Sequence, residues 1–473
     1  MLRLAFPLSV ALAVLCGGEL AHAARTTTPV GGAVRAVAFT GDAVAIARTP
    51  PRGTLTVERY VTGAAPATLL GTTLRDADDQ VQLAGSAQAL AIGLQPDSEE
   101  SFGPSRVFAG PAAGPLRQVA ACEAGLLAPP VAVLGARIAW RDGACGDPSQ
   151  TPSAITPAAV VVGAADPGIA PARIALDPDV LPVSIALTAT GGLVGALRPS
   201  FFAVDSEVRD FTLRTAGAAL VTQRGGIAAP VGVLANGTRV FSLARLDAVD
   251  GGDDDDDDDE VCPNSLFTIA AGATERRELP AGGCLIGADV PAGSASARAG
   301  TDRVFALVSA SARASDGPPQ VSVVSMRADG GDRRVHASGS YRPPVGIAAD
   351  GDRLAFWHAR CTGAITDVVV VDGAGQDEGP APIASCRTRV LTTAARVRDG
   401  RTSVRVRCPS GCRGIALDAR REPARRLRAF AFGPGTHALS LTLSKADRKR
   451  GRLRLALAVE NGPARLALIR LRR

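Results

Sequence analysis

The apolar and polar positions of the chain repeat one unit: a short apolar strand, a polar turn and a second apolar strand. The clearest copy reads PVGIAADGDRLAFWHARC, with its turn at Asp350-Gly351-Asp352. Apolar strands with partial alternation, interrupted by Gly, Asn or Asp where a turn requires positive φ, are typical of β-hairpins. Seven copies follow one another along the chain: Ala33–Arg48, Val81–Gly93, Pro130–Cys145, Pro182–Leu197, Pro230–Arg245, Ser294–Ser309 and Pro344–Cys361.

The spacing of these copies predicts the fold. It is irregular but near the period of about 50 residues that four-stranded propeller blades with loop insertions show. A third strand follows each copy, and often a weaker fourth. One blade cannot bury both of its faces, whereas blades stacked around an axis can. We therefore expect an all-β chain with an about seven-bladed β-propeller over residues 24–386. A β-sandwich, two unrelated β domains, and six or eight blades remain alternatives.

Residues 387–473 differ from the rest of the chain. They keep alternating strands but lose the hairpin unit, and they contain 23 Lys and Arg against 5 Asp and Glu, a net charge of +18. Because the whole chain carries +6, the remainder carries −12. We predict a separate, small, basic β-sandwich domain of about five to seven strands.

The first 23 residues have the pattern of a secretory signal peptide. Arg3 is followed by an apolar run from Leu4 to Leu15 and by a small-x-small cleavage site at Ala21-His22-Ala23. This run is too short to span a bilayer, and no later run is long enough, so we expect no transmembrane segment. Cys16 leaves lipoprotein processing as an alternative, although Leu15 is a poor residue for it. The predicted location is secreted or extracytoplasmic.

Eight cysteines remain after residue 23, an even number that suggests disulfides in an exported chain. In the fifth and seventh copies, one cysteine follows the second strand and another closes the third or fourth. This equivalence predicts the pairs Cys262–Cys284 and Cys361–Cys386. Elimination leaves Cys122–Cys145, and the short spacing of Cys408 and Cys412 predicts a local disulfide in a tight turn of the tail.

The seventh copy carries a resemblance to a known family. Its residues Asp350-Gly351-Asp352-Arg353-Leu354-Ala355-Phe356 resemble the strand–turn–strand signature of TolB-like (WD40-like) propeller repeats. The resemblance extends over residues 30–386 at the level of fold. It implies a periplasmic scaffold or a substrate-gating propeller, and it transfers no partner-binding residue. The tail is similar to small C-terminal β domains of exported actinobacterial proteins.

Few residues suggest chemistry. None of the common catalytic or nucleotide-binding motifs is present, so we assign no catalytic and no cofactor-binding residue and expect no cofactor. His358, beside Trp357, could line the mouth of the central channel, although a solvated loop histidine is the simpler interpretation. Cys408 and Cys412 have the spacing of half a zinc site, but no second Cys/His pair lies nearby in the sequence.

An acidic run is the most conspicuous local feature. The residues that could supply oxygen ligands to calcium are Asp253, Asp255, Asp257 and Asp259. Known calcium loops space such ligands with glycines, because adjacent side chains cannot converge on one ion. We therefore assign no metal site and interpret the run as a self-repelling, solvated insertion.

These observations favour an exported, non-enzymatic propeller that acts as a scaffold or binding protein through protein–protein or cell-envelope contacts. The expected partner is a protein or an anionic cell-envelope polymer, not nucleic acid, because the tail has no aromatic residues interleaved with its arginines. We expect a monomer. The alternative is a propeller-fold enzyme, a lyase or a glycoside-cleaving protein, with its active site in the central channel.

Overall fold

The seven predicted hairpins lie in seven antiparallel β-sheets arranged around a central channel. The computed structural model describes residues 25–50, 54–72, 80–95, 105–122, 130–142, 158–166, 168–177, 180–199, 204–245, 264–289, 302–309, 320–340, 342–360, 365–373, 381–382, 388–409, 411–420, 425–459 and 465–472. The first strands of neighbouring sheets contact one another in turn around a closed ring. This arrangement confirms a seven-bladed β-propeller.

The blades follow one another in chain order, each with its first strand nearest the axis. Blade 1 contains β2 (Ala33–Thr40), β3 (Ala43–Thr49), β4 (Thr56–Tyr60) and β5 (Ala67–Gly71). Blade 2 contains β6 (Gln80–Gly85), β7 (Ala89–Gln95), β8 (Ser105–Pro111) and β9 (Arg117–Cys122). Blade 3 contains β10 (Val131–Leu134), β11 (Arg137–Asp142), β12 (Ala159–Ala164) and β13 (Ala172–Ala175). Blade 4 contains β14 (Leu181–Leu187), β15 (Gly191–Pro199), β16 (Val204–Thr212) and β17 (Ala216–Gln223).

Two of the last three blades, blades 6 and 7, include a strand that is not consecutive with the others in the chain. Blade 5 contains β18 (Gly226–Val233), β19 (Arg239–Arg245), β20 (Asn264–Ile269) and β21 (Arg276–Leu279). Blade 6 contains β22 (Cys284–Asp289), β23 (Arg303–Ser309), β24 (Gln320–Arg327), β25 (Arg334–Ser340) and the short parallel β29 (Ala381–Pro382). Blade 7 contains β26 (Arg342–Asp350), β27 (Arg353–Ala359), β28 (Ile365–Val371) and, as its outermost strand, β1 (Arg25–Gly31).

Strand β1 closes the ring. It pairs antiparallel with β28, from Arg25 opposite Val371 to Gly31 opposite Ile365. The Thr366 hydroxyl donates to the Gly32 carbonyl at 2.9 Å. Because one blade combines the two ends of the propeller sequence, opening the ring would require breaking this sheet.

Apolar contacts between blades form the core. Each of the seven junctions between neighbouring blades contains one cluster of buried Ala, Val, Leu, Ile and Phe side chains. A central strand such as β23 is buried at every position, because a neighbouring blade covers each face of its sheet. Trp140 and Trp357 are buried in these layers, 8% and 6% exposed.

The predicted turns are confirmed, and one strand assignment is wrong. Gly41, Gly237 and Gly351 have φ values of 71°, 80° and 63°, as the hairpins require. In the sixth copy, however, the first strand is β22 and not the segment beginning at Ser294. Residues 290–302 separate β22 from β23, and this long insertion hid the hairpin from a pattern that expects a short turn.

The tail forms two facing sheets around its own core. Its elements are β30 (Arg389–Val390), β31 (Ala394–Arg396), β32 (Arg401–Cys408), β33 (Cys412–Asp418), β34 (Arg425–Phe432), β35 (Gly435–Thr442), α1 (Lys445–Arg450), β36 (Arg452–Val459) and β37 (Arg465–Arg472). One sheet has the order β30-β32-β35 and the other β31-β37-β36-β33-β34. Their inward side chains, among them Val404, Leu441 and Leu455, build a single cluster that contains only tail residues.

The β-sandwich is therefore confirmed, with eight strands in the described part of the tail. Strands β30 and β31 have two and three residues, too few to show an alternating pattern. The domain limits 1–23, 24–386 and 387–473 remain predictions, because residues 1–24 and 383–387 lie outside the described ranges. Within the described ranges, no helix has the length and apolar character needed to cross a membrane.

Candidate functional site

Apolar side chains line one stretch of the central channel. A narrow space of about 190 Å³ is bordered by the first strands of six blades. The bordering side chains are Val37, Ala38, Phe39, Leu83, Ala84, Val131, Ala132, Val133, Ile185, Ala186, Leu187, Val231, Val233, Ala348 and Ala349. None of these side chains can exchange a proton or stabilise a charged transition state, so this stretch of the channel offers no acid–base group.

Arginines recur at the start of the second strand in several blades and tie neighbouring hairpin turns together. Arg137 donates from Nη2 to the carbonyl of Ala189, in the first turn of blade 4, at 2.6 Å. Arg353 donates to the carbonyl of Gly41, in the first turn of blade 1, and its guanidinium lies 4.4 Å from the ring centroid of Phe39. Both contacts fasten adjacent blades on the face that carries the first hairpin turns.

In blade 5, the arginine that begins the second strand makes a different contact. Arg239 turns back to blade 4 and forms a bidentate pair with Asp210, with Nε–Oδ1 and Nη2–Oδ2 distances of 3.3 and 3.0 Å. The turns of the two blades do not close over this pair, and a cleft of about 610 Å³ opens between them. We call it the blade 4–5 cleft.

The blade 4–5 cleft is lined mainly by hairpin turns. Its lining residues are Leu134, Leu187, Thr188, Ala189, Thr190, Gly192, Asp210, Phe211, Thr212, Thr215, Gly217, Val233, Leu234, Ala235, Gly237, Arg239, Ala271 and Gly272. Glycine is required at one point of this lining. A Cβ on Gly192 would lie 2.6 Å from Cζ of Phe211 and 2.3 Å from the Ala186 carbonyl, so only glycine fits beside that ring. The volume lies in the range of small-molecule sites.

The polar groups of the cleft suit ligand binding. The side chains of Asp210 and Arg239 are 41% and 24% exposed, so the pair is open to a ligand. Arg239 donates one N–H from Nε and one from Nη2 to Asp210, whereas a guanidinium carries five N–H groups. The other N–H groups are not used by this carboxylate. The Thr212 hydroxyl accepts from the backbone N–H of Thr215 at 3.1 Å. The lining holds threonine hydroxyls and one carboxylate that is paired with Arg239, but no histidine or lysine that could activate a hydroxyl, so we interpret the arrangement as one for recognition.

A serine–histidine pair does occur, in blade 6. The Oγ of Ser325 lies 2.7 Å from Nε2 of His336. Arg303 donates to the same Oγ from Nε at 3.1 Å and from Nη2 at 2.9 Å. Since the guanidinium only donates, the hydroxyl proton of Ser325 points to His336, whose Nε2 then accepts it.

This pair resembles a catalytic dyad, but it is sealed. Ser325 and His336 are 0% and 1% exposed. Burial, followed by the charges of Arg303, Arg334 and Arg25, lowers the pKa of His336 to about 4. No substrate reaches a side chain with that exposure, so the network is structural: it satisfies the buried Arg303.

Of the other residues singled out in the sequence, His358 lies within the described structure, whereas the calcium candidates and four of the cysteines do not. His358 is half-buried in β27 against Phe356, with ring centroids 6.4 Å apart, and it is not among the residues that line the channel. Burial lowers its pKa, opposed by the charge of Asp367. The calcium candidates Asp253, Asp255, Asp257 and Asp259 lie outside the described residues. So do Cys145, Cys262, Cys361 and Cys386.

The described cysteines give one confirmed pair. Cys408 and Cys412 form a disulfide in the turn between β32 and β33, with a Cα–Cα distance of 5.5 Å. Cys284 is also disulfide-bonded, but it begins blade 6 instead of closing blade 5, because β21 already completes that sheet. Cys122 ends β9. The pairs Cys262–Cys284, Cys361–Cys386 and Cys122–Cys145 remain predictions.

Sequence reasoning missed the blade 4–5 cleft. The fourth hairpin copy departs from the others at Thr188-Ala189-Thr190-Gly191-Gly192, where small residues replace the usual turn. That departure was a usable signal, because small residues at the meeting point of two blades leave space. The Asp210–Arg239 contact itself joins different blades and has no local pattern.

Solved structures with a similar fold are propeller proteins, several of them enzymes. Puromycin hydrolase matches with a TM-score of 0.44 and 14% identity, covering 80% of this chain and 58% of the hydrolase. A prolyl endopeptidase matches with a TM-score of 0.47 and 12% identity, over 83% and 54%. The propeller domain of the trilobed protease from Pyrococcus furiosus matches with a TM-score of 0.45 and 9% identity, over 73% and 95%. No protein-family model and no curated protein matches the chain.

These comparisons correct the functional expectation. The matches include a hydrolase and several peptidases, so the prediction of a non-enzymatic scaffold or binding protein is wrong, and the alternative of a propeller-containing enzyme agrees better with them. The chain spans only a little over half of the first two enzymes. At these identities the likeness itself shows the propeller fold.

Proposed function

We propose that this chain is the substrate-binding propeller of a hydrolytic enzyme that acts on peptides or peptide-like amides, and that it binds them in the blade 4–5 cleft. The observation that carries the proposal is the cleft itself. It combines an apolar floor at Phe211 with an accessible guanidinium, Arg239, and with threonine hydroxyls at its rim. A peptide offers the matching groups, namely apolar side chains, carbonyl oxygens and a terminal carboxylate.

No histidine or lysine lines the cleft beside its threonine hydroxyls, so the proposal assigns cleavage to a hydrolase domain that works together with this propeller. Several proteins of similar fold are named for such activities: puromycin hydrolase, prolyl endopeptidases and acylaminoacyl peptidase. The propeller then selects and orients the substrate.

The test separates binding from turnover. The full chain is isolated under native conditions from its own producing cells, together with whatever accompanies it, and is also produced recombinantly. Both samples are assayed with fluorogenic aminoacyl- and prolyl-amides, and binding of short peptides to the recombinant chain is measured by calorimetry. We expect hydrolysis in the native sample and binding without turnover in the recombinant one.

Two variants locate the binding. Arg239→Ala should weaken peptide binding by about 10- to 100-fold, the usual effect of losing a hydrogen bond from a charged group. Arg327→Ala is the matched control, since it removes an exposed arginine, 57% accessible, from an Arg–Asp pair on blade 6. Equal binding by both variants would refute the cleft assignment. A native sample that hydrolyses none of the amides would refute the enzyme.

We also propose that the propeller is TolB-like and that the protein is exported. The signature at Asp350–Phe356 and the leader pattern over 1–23 support this, and so do the disulfides at Cys284 and Cys408–Cys412, since disulfides persist in oxidising compartments. Cell fractionation with thiol alkylation tests it. Cytoplasmic protein with reduced Cys408 and Cys412 would contradict export.

A further inference from the structure

The two sheets of the tail present different outer faces. In β32 and β35 the outward side chains are Arg401, Ser403, Arg405, Arg407, Thr436, Ala438, Ser440 and Thr442, with Leu391 at the edge. This is the polar composition of a solvated sheet face. The five-stranded sheet on the other side adds large aliphatic side chains to its arginines, and solvation alone does not explain them.

We call this second surface the arginine–leucine face. Strand register places Arg454 opposite Leu468, Ala456 opposite Leu466, and Ile415 opposite Ala458. Leu466 and Leu468 are each 60% exposed, higher values than for the other large hydrophobic residues that the structure describes. A shallow groove of about 650 Å³ continues the apolar surface over Gly414, between Ile415 and Ala429.

Arginines surround these aliphatic side chains. Seven exposed arginines share the face: Arg396, Arg413, Arg426, Arg452, Arg454, Arg470 and Arg472. No described carboxylate forms an ion pair with any of them; the buried Asp418 and Asp447 pair instead with Arg420 and Arg425. Arg452 lies directly opposite Arg470, and like charges in that relation destabilise a sheet.

From this combination we infer that the arginine–leucine face binds a membrane surface that carries anionic lipid headgroups. Arginines bind phosphate groups in bidentate geometry, and the two leucines between them can enter the boundary of the hydrocarbon layer. The charge argues against a second copy of the chain as the occupant, because two such faces would repel each other. The leucines argue against a purely hydrophilic polyanion.

Vesicle co-sedimentation of the full chain tests this inference. Phosphatidylcholine vesicles are compared with vesicles that also contain phosphatidylglycerol, at low and high salt. We expect binding only to the anionic vesicles and weaker binding at high salt, because salt screens the headgroup attraction. If the chain does not bind anionic vesicles at low salt, the inference is overturned. Such a result is expected if the acidic propeller already covers this face.

Two arginine variants test whether the lipid surface contacts this face of the tail. Changing Arg452, Arg454 and Arg470 to Gln should lower the partition coefficient on the order of a hundredfold. The same change at Arg401, Arg405 and Arg407 is the charge-matched control on the opposite sheet and should have a much smaller effect. Equal losses would mean a diffuse charge effect and would overturn the assignment to this face.

Variants of the two leucines distinguish a membrane site from a polyanion site. Leu466→Ser combined with Leu468→Ser should reduce vesicle binding about tenfold without changing the thermal unfolding of the chain, because both side chains are exposed. Unchanged vesicle binding in this variant, with loss in the arginine variant and displacement by soluble polyphosphate, would show a polyanion site instead of a membrane site.

Discussion

Arg303 in blade 6 and Arg239 in blade 5 start equivalent strands, but they have opposite environments. The Arg303 side chain is 7% exposed and bonds to Ser325 and Asp332, whereas Arg239 is 24% exposed and meets Asp210 in an open cleft. The sealed network contains the residue types of a catalytic site, and the open cleft contains only a salt bridge. Accessibility, more than residue type, therefore distinguishes the sealed network from the candidate binding cleft.

The difference arises from the neighbouring blades. In blade 6, the turn between β24 and β25 brings Asp332 back over the arginine, with an Arg303 Nη1–Asp332 Oδ2 distance of 2.6 Å. In blade 5 the partner belongs to blade 4, and the Asp210–Arg239 pair borders the open blade 4–5 cleft. An arginine at the start of the second strand can thus be buried in a polar network within its blade, or it can border an open cleft between two blades.

The largest expected effect is on stability, from Arg303→Ala. The substitution leaves Ser325 without its donor and opens a cavity beside His336, so we expect the free energy of unfolding to fall by about 3–5 kcal/mol. Denaturant unfolding of the full chain measures this, and hydrogen exchange in β24 and β25 localises it. Arg327→Ala, exposed on the same blade, should cost less than about 0.5 kcal/mol. Similar values for the two variants would mean that the network is not structural.

The next effect is a pH dependence from His336. Its pKa is lowered from 6.5 to about 4, so between these values the unfolded chain binds a proton that the folded chain does not. The free energy of unfolding should therefore fall as pH decreases through this window, by about 3 kcal/mol in total. In His336→Gln this contribution should vanish, while His437→Gln in the tail should retain it. An unchanged pH profile in His336→Gln would contradict the buried neutral histidine.

Features set by local pattern could be predicted from the sequence, and features set by contacts between distant segments could not. The Asp350-Gly351-Asp352 hairpin, the glycine turns and the Cys408–Cys412 disulfide follow from short stretches. Ring closure by β1 joins residues 25–31 to 365–371, and a strand gives no sign of so distant a partner. The insertion between β22 and β23 broke the repeat, so the start of blade 6 was misplaced.

The candidate site shows the same limit. Ser325 and His336 face each other because a turn and a bulge in the β24–β25 pairing set their register, and nothing in either strand indicates it. Asp210 and Arg239 meet across a junction between blades, which depends on how two sheets pack. The one local signal was a departure from the repeat: small residues replace the usual turn in the fourth copy, and they line the blade 4–5 cleft.

The smallest expected effect is the stability of the Asp210–Arg239 pair. Because both side chains are partly exposed, solvent screens their attraction, and a double-mutant cycle of Asp210→Asn with Arg239→Ala should give a coupling below about 1 kcal/mol. Thermal unfolding of the two single variants and the double variant measures it, with the Arg327–Asp329 pair as the exposed reference. A coupling above about 2 kcal/mol would place Arg239 with Arg303 as a structural arginine. Near-zero coupling together with weakened peptide binding in Arg239→Ala would instead show a guanidinium that stabilises little in the empty propeller and is available to a ligand.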